Sequence, residues 1–166
     1  LFIEMDDYRQ FRINFYRLIT ELFRDSYFEQ IKSWCDKHQW QLTGHQVLEE
    51  SYDSQISSNG AVMPIFAKYS IPGNDHLGSK SSNVVSDIQL ISAAAQSGKK
   101  QTITETFGCT GWNFNIRGMK WLFQQQLAHG ITMLCQHLCD YSMRGLRKRD
   151  YPASIFYQHP MWHEIK

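Results

Sequence analysis

Four short runs in this sequence end in groups that can move a proton. Residues 40–43 are followed by His45, Glu49 and Glu50, and residues 70–71 by Asp75 and His76. The run 101–106 carries Glu105 near its end, and 131–134 is followed by Gln136, His137 and Tyr141. Two carboxylates at opposing strand ends are the minimum for hydrolysing a glycosidic bond. One donates a proton to the leaving oxygen; the other activates water or attacks the sugar carbon. Glu105 stands in the stretch KKQTITETFGCTGW beside Thr104, Thr106 and Phe107 rather than beside other charges. Such surroundings tune a carboxyl group's proton affinity. An ordinary solvated acid at a strand end is the competing reading. Glu49 and Glu50 are adjacent, so in an extended segment they point to opposite sides and at most one faces a common site.

Sugar rings present C–H faces that stack on flat side chains. Trp112, Tyr141 and Tyr151 lie in loops after strands and suit that use, or core packing. His45 and His137 occupy equivalent places, each just past a strand, where an imidazole can hydrogen-bond a sugar hydroxyl. Arg144 belongs to a charged loop with Arg147, Lys148 and Arg149 ahead of Pro152. That loop is either solvated or supplies an arginine to Asp150 or to a catalytic carboxylate. No HxH or HExxH spacing marks a metal site, and no GxSxG elbow marks a serine hydrolase. No GxGxxG or GxxxxGK[ST] loop follows any of the runs. Cys35, Cys109, Cys135 and Cys139 form no CxxC pair and are expected to be buried free thiols, a usage that favours a reducing compartment.

Something must hold these groups at one end of a scaffold. The runs begin about 30 residues apart, the usual size of a βαβ repeat. Helical patterns alternate with them: residues 61–69 after the Asn59-Gly60 turn, 85–96 with Ile88, Ile91 and Ala95 on one face, and 115–129 with Met119, Leu122, Phe123 and Leu127 spaced for burial. Gly98 and Gly130 are natural helix stops. Ahead of the series, Tyr8, Phe11, Phe15, Leu18 and Leu22 mark an amphipathic helix. Asp25 or Ser26 is placed to cap a second helix carrying Phe28, Ile31, Trp34 and Cys35. Pro72-Gly73-Asn74-Asp75 reads as a turn after the second strand.

Repeated β-α units imply a parallel sheet covered by helices. A doubly wound open sheet and part of a (β/α)₈ barrel both fit. Polar and acidic groups at every C-terminal strand end favour the barrel. The 166 residues, 42% hydrophobic and 14% aromatic, suffice for one domain with a sizeable core. Four strands do not close an eight-stranded barrel, and the chain begins at Leu1, so a fragment of a longer multidomain chain is expected. A net charge of +1 argues against a general nucleic-acid binder. No apolar stretch approaches the roughly 20 residues of a membrane span. The compartment, cytoplasmic or periplasmic and secreted, stays open.

Several blocks together resemble the catalytic barrel of bacterial glycoside hydrolases of the α-L-rhamnosidase type, glycoside hydrolase family 106 and its relatives. They are FYRLITELF, WCDKHQWQLTGHQVLEES, SSNGAVMPIFAKYSIPGNDHLG, GKKQTITETFGCTGWNF and HGITMLCQHLCDYSMRGLRKRDYPAS. The resemblance runs from about Phe15 to Pro152. It implies a partial (β/α)₈ TIM barrel of about four βα units over residues 1–166. It implies a glycosidase that removes a terminal sugar, typically L-rhamnose, from an oligo- or polysaccharide with a pair of glutamates and inversion. Carried over, that pair is Glu105 with Glu50 or Glu49, and which is acid and which base stays open. His45, Asp75, Trp112, His137, Tyr141 and Arg144 are the expected sugar-binding residues. Calcium is implied by the resemblance alone, and no oxygen-ligand loop marks a site for it. The remaining barrel strands and accessory β-domains are the expected partners. The segment PGND departs from the small or apolar residue expected before the Asp. A β-galactosidase-like barrel is the nearer alternative, though the Asn-Glu pair it requires is absent. A non-catalytic carbohydrate-binding or degenerate barrel is the alternative of a different class. An open-sheet domain binding nucleotides is a third.

Overall fold

The computed structural model describes residues 7–80, 84–137, 142, 144–145 and 155–164. Four strands, β1 (Thr43–Gly44), β2 (Ile71–His76), β3 (Ile103–Thr106) and β4 (Met133–Gln136), form one parallel sheet in the order β1-β2-β3-β4. Consecutive order with parallel pairing needs a crossover of one hand after each strand. Helices α5 (Val84–Gln96) and α6 (Ile116–His129) supply the last two crossovers; α3 (Tyr52–Ser58) and α4 (Met63–Phe66) supply the first. The strand order shows no reversal among these four, which is what a doubly wound sheet would require.

Ahead of the sheet, α1 (Tyr8–Phe23) runs through a π-helical turn, Arg24–Phe28, directly into α2 (Glu29–Lys37). Asp25 and Ser26 therefore cap nothing. They sit inside a continuous helix, with the Asp25 carboxylate paired to Arg24. The apolar stripe of α1 is a second departure. Phe11, Leu18 and Leu22 are exposed, and Thr20 is the residue of α1 that is buried. Its hydroxyl accepts from the Ala61 N–H at 2.8 Å, fastening α1 to the start of the α4 segment.

The sheet's two faces differ. Asn74, Thr104 and Leu134 are register partners, as are Asp75, Glu105 and Cys135. Alternation puts the two rows on opposite faces. The first row meets the helices: Asn74 donates to Asp87 on α5 at 2.7 Å, and Gln126 on α6 donates to Thr104 at 3.1 Å. Apolar packing flanks this polar seam. One cluster gathers Phe28, Val62, Ile65, Phe66, Tyr69, Leu90, Ala93 and Ile131; another gathers Phe107, Met119, Leu122 and Ile155. Each fully buried large side chain, Leu90 or Leu122 for example, contributes about 1.5–3 kcal/mol.

Other local expectations change. Pro72, Gly73, Asn74 and Asp75 lie inside β2, not in a turn after it. Pro72 is tolerated there because the N–H groups of Ile71 and Asp75 point to the β1 side, so the missing N–H of Pro72 faces β3, whose pairing with β2 begins one residue later at Gly73–Ile103. β1 is held instead by its approach: the N–H groups of Ser70 and Ile71 donate to the Leu42 carbonyl. The helix expected at 61–69 contracts to α4, and α3 forms where no helix was expected, capped by Ser51. On α5 the sheet-facing residues are Ser86, Asp87, Leu90, Ala93 and Ala94, while Ile88 is exposed. Leu127 on α6 is exposed too. Of the cysteines, Cys35 is buried, but Cys109, in the loop after β3, and Cys135, on the face of β4 turned away from α5 and α6, are exposed. Cys139 lies outside the described residues.

Candidate functional site

A cleft of about 360 Å³ lies at the C-terminal ends of the strands, lined by His45, Gln46, Val47, Leu48, Glu49, Glu50, Asp75, Leu77, Glu105 and His137. Three different connections and two strands meet there. β1 ends at Gly44 and delivers the loop 45–50; β2 presents Asp75; β3 presents Glu105; β4 delivers His137, whose N–H donates to the Thr106 carbonyl at 2.7 Å. A larger groove, about 550 Å³, lies between α1 and the α3–α4 segment, but its lining is mainly arginine and apolar, with Glu21 as a carboxylate. The smaller cleft gathers the titratable groups, which marks it as the candidate reactive site.

Glu49 organises the loop. Its carboxylate accepts from the N–H of Gln46, from the N–H of Asp75 at 3.2 Å and from the Ser86 hydroxyl at 3.1 Å. β1 has ended by this point, so the Asp75 N–H would face no strand; the Glu49 side chain takes the missing strand's place. The group is almost fully buried, and burial pushes its pKa up to about 7 against the pull of those three donors. Leu48, just before it, holds a left-handed backbone at φ 56°, and Phe107, two residues past Glu105, does so at φ 79°. Both are bulky residues kept in a costly conformation; Leu48 lines the cleft, and Phe107 turns the chain after Glu105 into the second core cluster. Gln46 is buried and its side chain donates to the Tyr69 hydroxyl at 2.7 Å, a second pin on the same loop.

Glu50, by contrast, is exposed on the cleft wall. His45 Nε2 lies 3.2 Å from Glu105 Oε2, and its Nδ1 lies 3.1 Å from the Gln46 carbonyl. Burial opposes a charge on this imidazole, but the Gln46 carbonyl and the carboxylates of Asp75, Glu49 and Glu105 outweigh it and raise its pKa. Asp75 is raised as well, by burial first and by the Glu105 and Glu50 charges, with His45 pulling the other way.

Of the residues singled out in the sequence, His45, Glu49, Glu50, Asp75, Glu105 and His137 come together. Trp112 does not line the cleft; it packs edge-on against Phe156, ring centres 6.0 Å apart. Arg144 is exposed outside the cleft lining. Tyr141 and Tyr151 lie outside the described residues. His76 is in β2 on the helix-facing side, fully buried, with no hydrogen-bond partner for either ring nitrogen among the described residues. Gln46, Ser86 and Cys135 were not anticipated. Cys135 is the register partner of Glu105, so its alternation with Leu134 was the available signal. Nothing local announces Ser86, which reaches Glu49 from the start of α5.

Among the described residues no group of three or more His, Cys, Asp or Glu is arranged to hold a metal ion. No helix among them is long and apolar enough to cross a membrane. Compared with protein-family models, with curated proteins and with solved structures, the chain has no match.

Proposed function

We propose that this chain carries the acid–base cleft of a glycosidase that removes a terminal, rhamnose-like sugar from a glycan, built on part of a (β/α)₈ barrel. The observation that supports it is the gathering of Glu50, Asp75 and Glu105 with His45 and His137 in one cleft at the C-terminal edge of a parallel sheet. That edge is where barrel enzymes keep their chemistry. The consecutive strand order supports the barrel: all crossovers fall on one side, leaving the row Asp75, Glu105 and Cys135 on the side a closed barrel turns inward. In this reading that face packs against further strands of the same chain.

Glu105 and Glu50 are the reacting acids. Glu49 has its oxygens occupied by two backbone N–H groups and a hydroxyl, and serves as the pin of the loop. One acid protonates the leaving oxygen while the other takes a proton from the attacking water. Asp75 and His137 bind sugar hydroxyls. The test is a panel of chromogenic glycosides, rhamnoside first, on the wild type and on Glu105→Gln. The expected result is cleavage by the wild type and a loss of at least about 100-fold in the variant. Near-normal turnover in the variant, or no cleavage of any terminal-sugar glycoside, overturns the reading.

A further inference from the structure

We infer that His45 and Glu105 hold one proton between them and together form the cleft's proton donor. This rests on the acid–base reading above and adds an imidazole to its machinery. The two ring nitrogens face different partners. Nδ1 is 3.1 Å from the Gln46 carbonyl, and a carbonyl oxygen only accepts, so Nδ1 carries a hydrogen. Nε2 is 3.2 Å from Oε2 of Glu105. A neutral ring protonated at Nδ1 would turn its Nε2 lone pair toward a carboxylate oxygen, which repels it. One more proton relieves the contact. It sits on Nε2, giving imidazolium beside carboxylate, or on Oε2, giving a carboxylic acid beside a neutral ring. The two forms differ only in where that proton lies along the Nε2–Oε2 contact.

The surroundings favour keeping that proton. Asp75 from β2 and Glu49 from the same loop both act on the ring, and together with the Gln46 carbonyl and Glu105 they outweigh its burial. Glu50 and His137 complete the titratable lining of the cleft. Both members of the pair remain about one-third exposed, 34% and 33% of their side chains, and so can meet a ligand. In the proposed reaction the shared proton passes to the glycosidic oxygen. The C–O bond to the sugar breaks with its electron pair going to that oxygen. Water adds its oxygen to the sugar carbon, and its displaced proton goes to Glu50. The products are the free sugar and an alcohol, and the proton on Glu50 returns to the His45–Glu105 pair through solvent.

Nitrogen NMR of the His45 ring tests this without a substrate. At pH 7 the wild type is expected to show both ring nitrogens protonated, or Nδ1 protonated with Nε2 accepting a strong hydrogen bond. In Glu105→Gln the ring's proton affinity is expected to fall by at least about threefold. A neutral ring protonated at Nε2 in the wild type overturns the inference, and so does an unchanged titration in the variant. Inactivity on every glycoside would sink the glycosidase reading and leave the proton pair intact. An active enzyme with an Nε2-protonated neutral ring would do the reverse.

Discussion

Asp75 and Glu105 are register partners on adjacent parallel strands, and their carboxyl groups stand side by side on the face turned away from α5 and α6. Two neighbouring carboxylates resist simultaneous ionisation. Burial raises the pKa of Asp75 most, and the Glu105 charge adds to it. Replacing Glu105 with Gln removes that charge, so the Asp75 midpoint should drop. Carbon NMR of the Asp75 carboxyl across an acid titration reads it directly. An unmoved midpoint would mean that the two groups do not sense one another.

Glu49 makes stability depend on pH with a definite sign. Its folded pKa, about 7, lies above its ordinary value of 4.5, so the folded protein keeps a proton that the unfolded chain has lost. Between those limits the native state binds more protons, and stability falls as pH rises. Glu49→Gln should flatten that slope. Urea midpoints at several values from pH 4.5 to 7.5 measure it. Parallel slopes in wild type and variant count against the raised pKa.

The polar seam under the sheet predicts a large loss from one truncation. Asp87 is buried, accepts from Asn74 at 2.7 Å and pairs with His129 at 2.7 Å. Asp87→Ala removes the acceptor of His129 and the closer of the two acceptors of the Asn74 amide, which keeps the Ser86 hydroxyl at 3.2 Å, and should cost about 2 kcal/mol. Chemical denaturation checks this; a loss under about 1 kcal/mol would show that solvent satisfies the two groups instead.

Two glycines separate crowding from backbone strain. A Cβ on Gly73 would lie 2.7 Å from the Gly44 carbonyl oxygen and 2.8 Å from Ile103 Cγ2, so Gly73→Ala must push β2 away from β1 or β3. A loss of at least about 2 kcal/mol is expected. Gly78 has open space around it but φ +90°, so Gly78→Ala should cost only about 1 kcal/mol. Thermal melts of the two variants give the ranking, and a reversed order would contradict it.

What the sequence revealed and what it hid follow from locality. α5, β3 and α6 were legible as elements because helical patterns alternate with short runs and the helix stops Gly98 and Gly130 are local signals, while the buried face of α5, Ser86, Asp87 and Leu90, was not. α3 was not, because its seven residues YDSQISS bury little besides Gln55 and show no apolar period. β2 was hidden by Pro72 and Gly73, turn formers by composition; the strand accepts Pro72 because its missing N–H faces β3 one residue before that pairing begins. Glu105 was legible as a strand-end acid. The distinct situation of Glu49 was not, because its partners Asp75 and Ser86 lie 26 and 37 residues away.

The polar row Asn74–Thr104, flanked by Asp75–Glu105, also works as a lock during assembly. If β2 or β3 slid by one residue, an acid would swing under the helices beside the carboxylate of Asp87, and Asn74 or Thr104 would lose its partner. Any sheet with one face buried resists a one-residue slip, because the slip exchanges its two faces. Here the wrong alignment also brings like charges together in a buried place, which widens the energy gap between the native register and its one-residue neighbour.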